Sequence, residues 1–425
     1  MLVLGTAVFG LQDPEGEKEK PQPQPQPQPD PKQEEKSPVK FYFKNGIFFE
    51  SEDGTFKGQI GGRIQHDSMT QSADDDVETA AGDADQEQRF RRARLFIKGW
   101  IDERFEFKIE GDFVGGNSRF ADVYLRLKDF PFSDTTFGHF KEPVGLEQQM
   151  SAGDLLMMER SLPNFLVPGR SAGLMVNGTF AEMFGTYAIG IFRDTDESGD
   201  SSDFTPGSGV AKDNHAVTAR ATYTFLFDPA GNMVLQAGFS YSDRSETEFN
   251  FDIDFGLDSD NLSTTSTSPL LADSVDILSF EALFMIESFL AIVEYVRMTV
   301  DEPAAGDTDF TAYSVTMSYI VTGERRPHIR ERGTVGGVRP NHNAFGKDAD
   351  GIGAIEVVVR IDFLDLDDNG LPLGANGEYQ TIMVGVNWYA NGNVKIMLNL
   401  GTFSFDNGTL DGDGEEAGVR VEFSF

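Results

Sequence analysis

The sequence predicts an all-β chain closed into a transmembrane antiparallel β-barrel, and three observations carry that expectation. From residue 41 onward, segments of about ten residues alternate apolar and polar side chains, the period of a strand with one greasy face. No stretch approaches the roughly 18 to 20 uninterrupted apolar residues that a membrane-spanning helix needs, so any crossing has to be made by strands. The polar face of several segments is charged along its length, which suits a water-filled lumen. A soluble all-β sandwich would show the same alternation, so the period alone leaves that alternative open.

Taken in order, residues 1–12, MLVLGTAVFGLQ, have an apolar core without a basic start and read as the remnant of an export signal. Residues 13–40 carry PQPQPQPQP between charged flanks. Alternating Pro and Gln favours polyproline II, a spacer outside any core that at about 3.1 Å per residue reaches roughly 28 Å. The barrel domain is expected over residues 41–425. Within it, RFEFKIEGDF sets Phe105, Phe107 and Ile109 against Glu106, Lys108 and Glu110, and DVYLRLK sets Val123, Leu125 and Leu127 against Asp122, Tyr124 and Arg126. HAVTARATYTFLF, AYSVTMSYIV, IMVGVNWYA, VKIMLNLGTF and GVRVEFSF repeat the habit, while IESFLAIVEY reads as a tight reversal followed by a new strand. The sequence stops inside such a segment, at Phe425. Sharing the ~385 residues after the spacer among about 16 strands gives ~24 per strand and loop, an ordinary allotment for a barrel of that size.

Composition narrows the chemistry. The 425 residues include 70 acidic and 35 basic side chains, a formal net charge of −35, which argues against nucleic-acid binding. With no Cys there are no disulfides, thiolate metal sites or thiol nucleophiles. The five histidines, among them His66, His139 and His215, lack zinc spacing, and no Ser/His/Asp arrangement can be picked out, so neither enzyme, metal nor cofactor is expected. DLDDNG at 365–370 and DGDGEE at 411–416 do not complete a calcium loop and read as acidic hairpin turns.

Against this acidic background, residues 89–108 hold seven basic side chains (Arg89, Arg91, Arg92, Arg94, Lys98, Arg104 and Lys108) and three acidic ones (Asp102, Glu103 and Glu106). Arginine suits an oxyanion path because its planar fork donates two parallel hydrogen bonds and stays charged at any relevant pH. The alternative is that these cations neutralise carboxylates of the opposite wall or bind lipid phosphates at a rim. Strict alternation sets Arg91 and Arg92 on opposite faces, so both enter a lumen only if the strand carries a bulge. A second basic stretch, ERRPHIRERGTVGGVRP, with Arg325, Arg326, Arg330, Arg332 and Arg339, reads as a solvated loop ordered by acidic neighbours or lipid, or as a funnel for anions.

FRRARLFIKG, FADVYLRL, GHFKEPVGLE, MMERSLP, SAGLMVNG, IVTGERRP, VNWYANGNVKIMLN and the terminal VRVEFSF follow one another in an order and spacing that resembles the phosphate-selective porin O and P family over residues 57–425. The resemblance implies a sixteen-stranded outer-membrane barrel of a Gram-negative-type envelope, a homotrimer, and a loop folded into the pore. It also implies that Phe425 supplies the terminal aromatic signal read by the barrel-assembly machinery. Carried over by motif, it implies anion contacts from Arg91, Arg92 and Arg63, a carboxylate at Asp122, a loop arginine at Arg160 and a hydroxyl at Ser151. Two positions depart: Gln148 stands where a lysine follows GLE, and Ala152 where a second hydroxyl is expected. Each removes an anion-binding group.

The expected function is therefore an outer-membrane porin passing small solutes by passive diffusion, biased to phosphate or related oxyanions. A general or cation-preferring porin is one alternative, favoured by Gln148, Ala152 and the global acidity. A structural anchor that meets the cell wall through the Pro-Gln spacer is another. Outer-membrane lipid and lipopolysaccharide are the expected surroundings, and small anions the expected partners. The segment from Lys141 to Arg170 mixes turn residues with the apolar patch LLMM and is the expected constriction loop; its alternative is a surface loop against a neighbouring subunit. Asp122 in an anion path repels its substrate unless it anchors a lumen arginine.

Overall fold

The structure, a computed structural model, describes residues 39–425 except 45, 82–85, 117–118, 131, 194, 196–214, 229–232, 250–251, 255–262, 266–269, 303–305, 348 and 367–376. The export-signal remnant and nearly all of the spacer lie outside the described residues. Sixteen antiparallel strands close a barrel: β1 (Phe56–Ala73), β2 (Gln86–Ile101), β3 (Phe105–Asp112), β4 (Arg119–Leu127), β5 (Asp134–Lys141), β6 (Arg170–Phe180), β7 (Gly185–Arg193), β8 (His215–Phe227), β9 (Met233–Phe249), β10 (Leu270–Ile286), β11 (Phe289–Glu302), β12 (Gly306–Ile320), β13 (Ala354–Asp365), β14 (Glu378–Tyr389), β15 (Val394–Asp406) and β16 (Asp411–Ser424). β16 pairs with β1 from Gly414↔Ala73 to Ser424↔Arg63, which closes the ladder and satisfies the backbone groups that lipid cannot.

Where β16 stops, a leading hairpin (Val39–Phe43 and Ile47–Ser51) takes over, pairing Ile47↔Ile60 through Glu50↔Lys57. Phe425 bridges the two by exchanging backbone hydrogen bonds with Gly62 at 2.9 and 3.0 Å. A side chain at Gly62 would sit 2.7 Å from the Arg94 carbonyl oxygen, so glycine permits that close approach.

The greasy faces point outward, as the alternation predicts. Ile109, Leu125, Ile191 and Val384 are exposed on the barrel exterior, whereas Glu106, Arg92, Glu281 and Arg360 are buried inside. IESFLAIVEY is the expected reversal, with Ile286 ending β10 and Phe289 opening β11. DGDGEE corrects the expectation of a turn: it opens β16, paired with Gln71 and Ser72 of β1, and the reversal lies before it at 407–410. Alternation of apolar with acidic residues is strand chemistry, and Gly412 and Gly414 do not interrupt it. In DLDDNG, Asp365 ends β13, and 367–370 lie outside the described residues.

The lumen is divided by the character of its walls. β10 to β12 turn apolar side chains inward, among them Leu283, Met285, Ile292, Val296 and Phe310. Residues 142–169 run across the lumen onto that wall, burying Leu146, Met150, Leu155, Leu156, Met157, Met158, Leu162 and Leu166, at about 1.5–3 kcal/mol for each fully buried large side chain. Inward-facing polar side chains hold its main chain: Asn399 accepts from the Met158 N–H at 2.8 Å, Lys395 donates to the Leu155 carbonyl at 2.8 Å, and Glu294 accepts from the Leu146 N–H at 2.6 Å. The charged early strands, β1 to β5, are left facing open space.

A second connection also turns inward. Residues 321–353 join β12 to β13 at the end of the barrel where reversals are short, the periplasmic end by the usual asymmetry. Arg326 is buried there in a bidentate pair with Glu356, 2.8 Å at each nitrogen, and donates to the Asp154 carbonyl at 2.7 Å, so the two inward segments meet. This corrects the reading of the whole basic stretch as solvated: Arg325 is exposed, but Arg326 is part of the interior.

Candidate functional site in the barrel lumen

Along the early strands runs a cavity of 720 Å³. Arg63 of β1, then Arg92, Arg94 and Lys98 of β2, line one side. Lys108 of β3, Arg126 of β4 and Lys128 beyond it follow. Lys141, Arg160 and Arg170 surround the inward loop, and Arg220 and Arg332 complete the wall. Twelve cations and five carboxylates, Glu106, Glu110, Asp122, Asp134 and Glu331, line the cavity, and four of the cations, Arg63, Arg92, Arg94 and Arg220, also pair with carboxylates set behind the lining, Glu422, Glu159, Asp112 and Glu281.

The bulge that the arginine pair demands is present. Gln65 pairs with Arg92 and His66 with Phe90, so Arg91 is the extra residue and both guanidinium groups enter the lumen, while Phe90 stays outside. Both arginines meet Glu159 of the inward loop. Arg91 donates from Nε and Nη2 at 3.0 and 3.1 Å, and Arg92 lies 3.5 Å away while also donating to Gln65 Oε1 at 2.9 Å. Arg420 of β16 reaches the same carboxylate and forks onto Asp67 at 2.7 and 2.6 Å. Burial alone would raise the Glu159 pKa; Arg91, Arg420 and Arg92 outweigh it and hold the carboxyl well below its usual range.

Arg63 Nη2 lies 3.3 Å from the Ser151 hydroxyl, and Arg63 also lies 3.3 Å from Glu422. Asp122 is bonded to Arg170 at 2.7 Å and to Lys108 at 2.8 Å. Arg160 donates only to main-chain carbonyls, of Glu147 at 3.3 Å and Met150 at 3.0 Å. Burial lowers its pKa to about 10 against the pull of Glu147 and Glu159, so it stays charged at neutral pH. Gln148 turns its amide to the Pro168 carbonyl at 3.1 Å and lines a second cavity of 220 Å³. Arg92 and Arg160 line both cavities and stand where they adjoin.

Sequence reasoning missed Lys141 as a site residue. Its Nζ, at the end of β5, donates to the carbonyls of Gln148 and Met150 at 2.7 and 2.8 Å. Among the described residues no carboxylate is hydrogen-bonded to Lys141 or Arg160. The partners of Glu159 and Arg170 were also missed. Arg91 and Glu159 are 68 positions apart, and only the path of the loop through the lumen joins them.

Comparison with known proteins places the chain in a family and supports the barrel fold. A family model described as phosphate-selective porin O and P matches residues 59–425. Porin O of Pseudomonas aeruginosa is 27% identical over 421 residues, covering 90% of this chain and 91% of that protein. An uncharacterized protein of Caulobacter vibrioides is 22% identical over 418 residues, 92% of this chain and 78% of its own length. Among solved structures, the anion-selective porin from Comamonas acidovorans superposes with a TM-score of 0.56 at 13% identity, over 87% of this chain and 100% of that one. OmpT of Vibrio cholerae gives 0.53 at 12% identity, over 87% and 98%. At such identities the structures speak for the barrel fold alone.

Proposed function

From the premise that this chain belongs to the phosphate-selective porin O and P family, an outer-membrane channel for small solutes and not an enzyme, we propose that its pore is biased toward phosphate and related oxyanions. One observation carries the reading: the lumen cavity holds an excess of cations, and two of them, Lys141 and Arg160, have their charge matched by no hydrogen-bonded carboxylate. An anion moving between the two cavities passes Arg160 and Arg92, with Arg63 and Ser151 on the same wall. Such a series of donors attracts an oxyanion without one deep trap, as conduction requires. Asp122 orients Arg170 and Lys108 in this reading, and the 142–169 segment is the constriction. Gln148 contributes a main-chain carbonyl that positions Lys141.

A homotrimer in the outer membrane fits the same reading; a trimer form of OmpT of Vibrio cholerae has been solved. Phe425, held in the ladder beside Gly62, is the candidate signal for the assembly machinery, and the Pro-Gln spacer the candidate reach toward the cell wall. Lipopolysaccharide is the proposed neighbour of the long-loop rim.

A general or cation-preferring pore is the second reading, favoured by Glu159, which engages Arg91 and Arg92. Reversal potentials of the bilayer-inserted protein in a potassium chloride gradient, with and without phosphate, separate the two. The oxyanion reading expects anion preference and phosphate block of chloride current. It also expects Lys141→Ala and Arg160→Ala each to weaken the block about tenfold or more, the worth of one hydrogen bond to a charged group. Cation preference with no phosphate effect establishes the second reading.

A further inference from the structure

We propose that Glu159 is a tethered counter-ion: its carboxylate occupies an oxyanion cradle formed by Arg91, Arg92 and Arg420, and thereby sets how strongly the pore prefers anions. The inference deepens the oxyanion reading by naming the residue that limits it. A carboxylate and a phosphate present the same pair of oxygens to a guanidinium fork. The Nε and Nη2 of Arg91 close on the two Glu159 oxygens at 3.0 and 3.1 Å, so Glu159 holds the place that a bound oxyanion would take. Glu159 is shared by Arg91, Arg420 and Arg92, and of these Arg420 also forks onto Asp67 at 2.7 and 2.6 Å. Glu159 and Arg160 are adjacent, so one dipeptide of the loop delivers both a competing anion and a cation to the junction of the cavities.

The loop has main-chain anchors besides this carboxylate. The Glu159 carbonyl accepts from Arg360 at 2.7 Å, the Met158 N–H donates to Asn399 at 2.8 Å, and the Met158 carbonyl accepts from Arg420. Glu159→Gln therefore removes the charge while an amide oxygen and the main-chain anchors remain.

The test compares wild type, Glu159→Gln and the double variant Glu159→Gln/Arg91→Gln in planar bilayers, reading reversal potential, unitary conductance and inorganic phosphate block of chloride current. The counter-ion role expects Glu159→Gln to shift the reversal potential toward chloride and to lower the half-blocking phosphate concentration about tenfold. Adding Arg91→Gln should cancel that gain. Unchanged or weaker block in Glu159→Gln overturns the proposal, as does a large rise in conductance with loss of selectivity, which marks a plain loop anchor. A gain that survives Arg91→Gln also overturns it. A wild type indifferent to phosphate, beside a Glu159→Gln variant that acquires block, refutes the oxyanion reading of the native pore while supporting the counter-ion.

Discussion

His328, in the connection between β12 and β13, shows how one side chain ties this barrel to pH. Its Nε2 lies 2.8 Å from Gln236 Oε1, an acceptor, so the neutral ring carries its proton there. Its Nδ1 is buried without a hydrogen-bond partner among the described residues. Burial first, then the Arg330 charge, depresses its pKa from 6.5 to about 4. Between those values the unfolded chain binds more protons than the folded one, so stability rises with pH through that window. The contribution is fully present above pH 6.5 and lost as pH falls to about 4, amounting to at most about 3 kcal/mol for this partly exposed ring. His328→Gln keeps a donor for Gln236 and removes the titration. The urea midpoint of the wild type in lipid vesicles should fall toward that of His328→Gln as pH drops from 7 to 4; parallel curves for the two proteins would sink the argument. Arg160, at about 10, keeps its charge throughout this window.

At the scale of the strand, the bulge in β2 decides what the arginine pair can do. Alternation was legible in single segments because it needs only the local period, and from it the requirement for an irregularity at Arg91 and Arg92 followed. What it pairs with was not legible, because the loop that brings Glu159 is placed by apolar packing of Leu155 to Met158 on a distant wall. The same gap hid Arg326, whose partner Glu356 lies across a buried interior 30 positions on, within a stretch that reads as surface because of its charge. A one-residue slip turns every side chain beyond it to the other face. Deleting Arg91 removes the supernumerary residue and leaves Phe90 and Arg92 in regular alternation, so this variant should still assemble into a heat-modifiable barrel, with weaker anion preference. Deleting Leu95, four residues on, should abolish assembly, because Arg92 and Arg94 or Phe96 and Lys98 would then face lipid. Equal assembly of both deletions, judged by mobility on unheated gels, would show that this register is not what places the arginines.

The whole molecule separates its charge by depth. Exposed carboxylates such as Asp75, Asp76, Asp301, Asp307, Asp411 and Asp413 stand at the long-loop end, while the lining of the lumen cavity is richer in cations than in carboxylates. Net composition concealed this, since the sum of −35 says nothing about which face a side chain takes; the local balance around residues 89–108 was the legible trace of it. Barrel closure and the strand count near 16 were legible from period and length, but the split of the lumen into a filled apolar half and an open basic half was not, because it rests on which strands the loop covers. The two charge populations act on a permeating anion from different distances, the shell from farther away than the lumen wall. Salt screens them in turn: the Debye length is about 30 Å at 0.01 M, 10 Å at 0.1 M and 3 Å at 1 M. At the lowest salt the acidic shell opposes approach of anions, and at the highest even the lumen is screened. Anion preference, measured as the chloride to potassium permeability ratio, should therefore peak near 0.1 M and fall on either side. Phosphate block, which on the proposed reading rests on contact hydrogen bonds from Lys141 and Arg160, should fade more slowly toward 1 M. A ratio that falls monotonically from 0.01 M would mean that the shell is electrically silent at the pore, and one that never changes would place selectivity entirely in those contacts.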